Sequence, residues 1–381
     1  MIYLDYTATT PMDDEIIELY KRMQKDFFAN SSSLNKLGQR SDYMINKCKE
    51  EIFDVLKIKK SDIIFTSNAT EANNLAILGY LSKYKTGHLI TTKIEHPSVF
   101  EVFKHLEDVG FSVSYLDIKE DGKIDINELK KALTKETLLV SIMWVNNIIG
   151  SIQPINEVIK VLKDYPKCKL HVDCVQGLCK VLPNFDFNEV DLLTFSAHKI
   201  FGPKGIGALI KKKNVEVGRI LFGSSVQLGL KPGTMDVGLV ACTCKAIKKY
   251  YPKTLEHFNY VKSLEDYLVI GLKHINGLHI NFIGESPYIV NISIPHVNGE
   301  TTLHRLEDYD IYVSTGSSCA SKLKTAEKTV LALTKDEDLA LSSIRISLSH
   351  LTKKEEIDRL LNALERIVWL DWYLLDMEKW H

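Results

Sequence analysis

The stretch LLTFSAHKIFGPKGIG, residues 192–207, decides how the chain is read. An apolar run of strand length ends on a histidine and a lysine, and a glycine-rich segment follows at once. Lysine at the mouth of a buried sheet is costly unless its amine is paired or covalently used. An exposed loop lysine would satisfy the same letters, so Lys199 alone leaves both readings open.

Outward from this stretch, similar apolar runs recur: DIIFTS (62–67), HLITTK (88–93), SVSYLD (112–117), LLVSIMWV (138–145) and KLHVDC (169–174). Stretches with helical spacing separate them, among them HPSVFEVFKHLEDVG (96–110) and PINEVIKVLKDY (154–165). The alternation predicts an α/β fold, with a mainly parallel sheet covered by helices on both faces, over residues 16–254. Beyond residue 255 the texture changes. LEDYLVIGLKHI (264–275), PYIVNISIP (287–295) and TTLHRLEDYD (301–310) precede another short strand and a helical tail. Residues 255–381, with 1–15, are expected to form a smaller α+β domain.

Bulk properties narrow the function. The chain has 381 residues and a formal charge of −1, without the basic footprint of a dedicated nucleic-acid or membrane-surface protein. Its apolar runs stop well short of the roughly 18 residues a membrane span needs. MIYLDYTATTPMDDE has no basic segment followed by an apolar run, so no secretory signal is expected. Seven scattered cysteines make no disulfide framework and fit a reducing, cytoplasmic setting. Cys242 and Cys244, in ACTCKAIKKY, are read as packing residues rather than metal ligands. DIKEDGKIDINE (117–128) imitates a calcium loop, but Lys119 would point a cation at the metal, so a turn is expected.

Three further motifs carry chemistry. KLHVDCVQG (169–177) ends a strand on Asp173, which suits a carboxylate beside a pyridinium nitrogen and equally suits a helix cap. DIIFTSNATEANNLAI (62–77) reads strand, polar turn, helix. Ser67, Ala69 and Thr70 could cradle a phosphate at the helix N-terminus, or could belong to an ordinary cap. His96, after a strand and before Pro97, could stack on a flat cofactor and move protons. Asp173 and Lys199 both follow strands, where open α/β sheets bind ligands, and together they favour pyridoxal 5'-phosphate.

YLDYTATTP (3–11), FTSNATEANNLAI (65–77), EHPSV (95–99), HVD with Gln176, FSAHKIFGPKGIGAL (195–209), STGSSCAS (314–321) and SSIRIS (342–347) occur in the order seen in cysteine desulfurases. The chain resembles the nitrogenase and iron–sulfur-cluster-assembly type, within the fold-type-I pyridoxal-phosphate enzymes, along nearly its whole length. The resemblance implies that Lys199 binds the cofactor as a Schiff base, that His96 stacks on the ring and moves protons, and that Asp173 pairs with the pyridinium nitrogen. It further implies that Gln176 bonds the phenolic oxygen and that Ala69, Thr70, Ser196 and His198 hold the phosphate, with Thr234 reaching in from a second subunit. Asn147 and Arg345 would receive the substrate carboxylate. Cys319 would attack the sulfur of L-cysteine, releasing alanine and keeping that sulfur as a persulfide, and would pass it to an acceptor protein such as an iron–sulfur scaffold or a tRNA-thiolation protein. The implied assembly is a homodimer in the cytoplasm, without direct nucleic-acid or membrane binding.

The pattern is broken in places. Ile148 stands where the family usually has Glu, and Ser31 and Asn35 where Pro and His are usual. In GSSVQLGLKPGT (223–234), Gln227, Leu228, Lys231 and Pro232 replace an acid, two arginines and a serine. These changes put substrate, rate and acceptor in question. The competing readings are a selenocysteine lyase or other β-lyase, and a divergent partner-binding paralogue without catalysis. The aromatic tail RIVWLDWYLLDMEKWH (366–381) is read as packing, with a partner-docking surface as the alternative.

Overall fold

The computed structural model describes residues 1–316 and 326–378, with 371–378 as helical backbone only. The N-terminal arm holds a two-residue strand, β1 (Ile2–Tyr3). A seven-stranded sheet follows, built from β2 (Ser61–Thr66), β3 (His88–Thr92), β4 (Ser112–Leu116), β5 (Thr137–Met143), β6 (Lys169–Asp173), β7 (Leu192–Ser196) and β8 (Gly207–Lys212). Its spatial order is β2-β8-β7-β6-β5-β3-β4. The pairings from β7 through to β4 are parallel, whereas β8 lies antiparallel to both β2 and β7. The sheet is thus mainly parallel, with β8 as an antiparallel insert. Its glycine-rich entry, Gly205-Ile206-Gly207, reads in sequence as a turn and hides it.

Side chains that alternate along each strand feed different cores. Ile63, Phe65, Val140 and Ile142 pack with Ile16 and Met23 of α1 (Asp14–Asp26), Ile45 and Ile52 of α2 (Lys36–Leu56), and the Val237–Tyr250 helix. Ile64, Leu89, Leu139 and Leu209 pack on the opposite face against α3 (Ala69–Leu81) and α4 (Pro97–Asp108). Helices on both faces bury the strand centres and leave the C-terminal strand ends as the open edge.

The second core gathers around an antiparallel sheet of β9 (His279–Ile283), β10 (Ile289–Ser293) and β12 (Ser343–Ser347), while β11 (Ile311–Tyr312) pairs with β1. Ile2 and Leu4 share this core with residues between Val261 and Val368, so the arm is stitched to the far end of the chain. The final helix, Lys354–Glu378, buries Ile357, Leu360, Leu364 and Ile367 there, while Trp369 and Leu370 are exposed. Cys242 and Cys244 are buried in the Val237–Tyr250 helix, the former beside the Ile16 carbonyl at 3.5 Å. The calcium-like segment is a turn in which Lys119 pairs with Asp121 at 3.1 Å. No helix among the described residues is long and apolar enough to cross a membrane.

Candidate active site

A cavity of about 240 Å³ opens at the C-terminal ends of β5, β6 and β7. His96, Asn147, Asp173, Gln176, Ser196, His198, Lys199 and Arg345 line it, with Ala69 and Thr70 at one side. Ten residues expected from sequence therefore converge. Two do not: Thr234 lies 3.5 Å from Asn30 on the exterior, and Cys319 lies outside the described residues.

The cavity floor rests on Asn73, a fully buried residue of α3. Its Nδ2 donates to Asp173 Oδ2 at 2.9 Å and to Ser98 Oγ at 2.8 Å, and its Oδ1 accepts from Thr194 Oγ1. Asp173 Oδ1 accepts from Val175 N at 2.9 Å, so the residue also caps its own turn. Ser98 Oγ lies 2.8 Å from His96 Nδ1, and Ser98 N donates to the same nitrogen at 3.1 Å. A ring nitrogen that accepts a backbone N–H carries no proton, so the neutral His96 ring bears its hydrogen on Nε2. Burial lowers the His96 pKa and favours that neutral form.

Lys199 closes the opposite side. It ends the 3-10 turn Ala197–Lys199 after β7, and its Nζ donates to the carbonyls of Thr7 and Ala8, both at 2.7 Å. Burial, followed by the Arg345 charge, draws its amine down to about 8. An exposed loop lysine is excluded. Arg345, 2% exposed, donates to the Asn147 carbonyl at 3.0 Å and pairs with Asp5 Oδ1 at 2.8 Å, while its Nε has no partner among the described residues. The backbone of Arg345 also bonds Ser314 in both directions, which ties β12 to the segment leading into Cys319.

The phosphate side can be tested against the groups present. Asn68 caps α3 by accepting from Glu71 N at 2.9 Å, and the N–H groups of Ala69 and Thr70 keep no partner within the described chain. Ser196 Oγ is buried and has no partner among the described residues, an arrangement that costs stability unless a ligand completes it. A Cβ on Gly207 would lie 2.5 Å from the Asn68 carbonyl carbon, so only glycine lets β8 run this close under the helix start. His198 Nδ1 sits 3.1 Å from Thr9 Oγ1, and burial followed by the Lys199 charge lowers its ring to about 4. Open N–H groups, an orphaned hydroxyl, a hydrogen-bonded carboxylate and an amine drawn below the ordinary lysine range fit pyridoxal phosphate.

The altered segment 223–234 is anchored through its own substitutions. Gln227 Oε1 accepts from Phe65 N at 2.7 Å and its Nε2 donates to Phe65 O at 2.9 Å, closing the free edge of β2. Lys231 pairs with Glu71, in the first turn of α3, at 3.0 Å. Gln227 and Leu228 both adopt left-handed backbone, φ 48° and 60°.

Sequence reading missed Asn73, Ser98, Asp5 and Lys180. Asn73 sits in a run of polar letters, ATEANN, where nothing distinguishes the buried asparagine from its exposed neighbours. Lys180 is buried, and its Nζ donates to Gln176 Oε1 at 2.7 Å. Glu95 is buried as well. It accepts from Thr92 Oγ1 and Met143 N, both at 2.9 Å, and burial raises its carboxyl to about 8.

Known proteins share this architecture. Residues 2–360 match the aminotransferase class-V family. The chain is 37% identical over 372 residues to a cysteine desulfurase IscS of Dictyoglomus turgidum, covering 96% of this chain and 94% of that one. Among solved structures, a NifS-like protein superposes with a TM-score of 0.90 at 32% identity, covering 97% and 99% of the two chains. A structure of SspA in complex with cysteine gives 0.79 at 30% identity, with 91% and 99% covered. The chain belongs to the NifS/IscS-type cysteine desulfurases, within the class-V aminotransferase family.

Proposed function

We propose that the protein is a pyridoxal-phosphate-dependent L-cysteine desulfurase that converts cysteine to alanine and passes the sulfur, as a persulfide on Cys319, to an acceptor protein. The observation that carries this reading is the meeting of Lys199, Asp173, His96 and Arg345 in one cavity whose wall also includes Gly316. Cys319 follows Gly316 by three residues, a chain span of roughly 10 Å at most.

Each residue has a task that its environment supports. When bound, pyridoxal phosphate supplies an electron sink for negative charge developing at the substrate carbon. Lys199 would hold it through the amine, which its surroundings keep partly unprotonated near neutral pH. Asp173, fixed by Asn73 and Val175 N, would pair with the ring nitrogen. Ala69, Thr70, Ser196 and His198 would take the phosphate. Asn147 and Arg345 would receive the substrate carboxylate, with Arg345 partly releasing Asp5. His96 Nε2, which bears the proton in the neutral ring, faces the proton-moving role. The thiolate of Cys319 then attacks the substrate sulfur. An S–S bond forms as the C–S bond breaks, and a proton returns to the carbon to give alanine.

Thr234 would serve the cavity of a second copy in a homodimer. Its position outside its own cavity supports this, as do the exposed apolar residues Phe28, Leu34, Phe222 and Leu228 on the neighbouring 28–35 and 222–234 segments. Residues 16–254 would hold the cofactor, and 1–15 with 255–381 would carry the Cys319 segment. A cytoplasmic setting agrees with the absence of a membrane-spanning helix among the described residues. The test is anaerobic turnover of L-cysteine by the loaded protein, scoring alanine and sulfide in wild type and Cys319→Ala. Alanine from the wild type alone is the expected result. Full turnover by the variant would favour a lyase that works without Cys319.

A further inference from the structure

Lys180 is a buried lysine with no task in the reaction described above, and its hydrogen bond to the site runs through Gln176. It lies in the turn segment after β6, 8% exposed, and its Nζ donates to Gln176 Oε1 at 2.7 Å. No carboxylate among the described residues pairs with it at hydrogen-bond distance. Gln176 uses its other end to donate from Nε2 to the Thr7 carbonyl at 3.0 Å, and Lys199 Nζ donates to that same carbonyl at 2.7 Å. The two lysines are thus joined by one path: Lys180, the Gln176 amide, the Thr7 carbonyl, Lys199.

A primary amide has an accepting end and a donating end, and they differ little in shape. Turning the Gln176 amide over would set its NH2 group against the Lys180 amine, donor against donor, in a dry setting where an unmade hydrogen bond is costly. Lys180 therefore holds Oε1 to itself and leaves the second hydrogen of Nε2, on a residue that lines the cavity, without a partner among the described residues. We propose that Lys180 is a positioning residue, which fixes the Gln176 amide so that it presents an N–H donor to an anionic oxygen on the bound cofactor ring. The assignment rests on reading the cavity as a pyridoxal-phosphate site. Burial, with the Lys199 and Arg345 charges next, draws the Lys180 amine down to about 7. The amine holds this orientation in its protonated form, which has three donors and no lone pair to accept from a turned amide.

The test loads wild type, Lys180→Met, Gln176→Leu and the double variant with pyridoxal phosphate, and measures the visible absorbance maximum and the cofactor dissociation constant. Lys180→Met is expected to move the visible band and weaken cofactor binding about tenfold, the loss of one oriented bond. The double variant is expected to bind no worse than Gln176→Leu alone, because Lys180 acts through Gln176. A Lys180→Met protein with the wild-type band and affinity overturns the proposal, and so does an additive loss in the double variant. If Lys180→Met does not fold, Lys180→Leu, which likewise lacks a donor, is measured against the same two outcomes. A wild type that acquires no visible band with pyridoxal phosphate overturns the cofactor reading instead, which separates the two failures.

Discussion

Asn73, under the cavity floor, commits its amide to three buried partners on two strands and a helix, whereas Gln227, on the rim, commits its amide to one residue at a sheet edge. Both are carboxamides that join separate segments, and the difference lies in what replaces them when they are lost. At Asn73 nothing can: Asp173, Ser98 and Thr194 are all buried and would be left with unmet hydrogen bonds. At Gln227 water can reach the freed edge of β2. The floor is thus rigid because its partners have no alternative, and the rim is held by contacts that solvent can substitute. A segment fastened in the second way tolerates changed letters, which is how 223–234 departs so far from the family pattern while Lys199, Asp173 and His96 remain in place.

The sharpest way to break this comparison is Asn73→Leu. It should destabilise the protein lacking cofactor by about 3 kcal/mol in denaturant unfolding, because several buried polar groups lose their partner together. Cofactor affinity should fall with it, since Asp173 loses its orientation. An effect below about 1 kcal/mol would place the floor and the rim in the same class.

Acidity probes the wall opposite the floor. The Lys199 amine is lowered to about 8 in the folded chain, from the ordinary lysine value of 10.5. Between these values the unfolded chain binds a proton that the folded chain refuses. The stability linked to Lys199 is therefore present above about 10.5 and is lost as pH falls through about 8. In protein without cofactor, the stability difference between wild type and Lys199→Met should change by about 3 kcal/mol across that window and level off below it. A flat difference in chemical unfolding at pH 7.5 and 10.5 would mean that the Thr7 and Ala8 carbonyls hold the amine charged.

On the rim the expected effects shrink. Gln227→Ala should cost about 1 kcal/mol or less, because water takes over at Phe65. Lys231→Ala breaks one partly exposed pair with Glu71 and should cost under about 1 kcal/mol, with a Tm shift that fades in high salt. A loss as large as that of Asn73→Leu in either variant would show the rim to be part of the rigid frame.

The letters were most informative where chemistry sits at a strand end. Asp173 and Lys199 each terminate an apolar run, and the open edge of a sheet leaves such residues facing a common space. His96 was legible for the same reason, as the cap before Pro97. Asn73 and Lys180 were not, because their roles depend on contacts across the fold: Asn73 meets Asp173 a hundred positions away, and Lys180 acts on Gln176 within a turn that has no regular period. Strand β8 was concealed by the glycine that lets it pass beneath Asn68.

The sequence by itself determined the α/β architecture, the order of its strands along the chain and the identity of the groups at their ends, because hydrophobic period and strand-end chemistry are local properties. Only the tertiary structure decided which of the buried polar residues hold those groups in position, that Thr234 faces away from its own cavity, and that Gln227 and Lys231 anchor the altered rim. Those outcomes depend on hydrogen bonds between residues far apart in the chain, and a bond of that kind has no signature until both partners have been brought together.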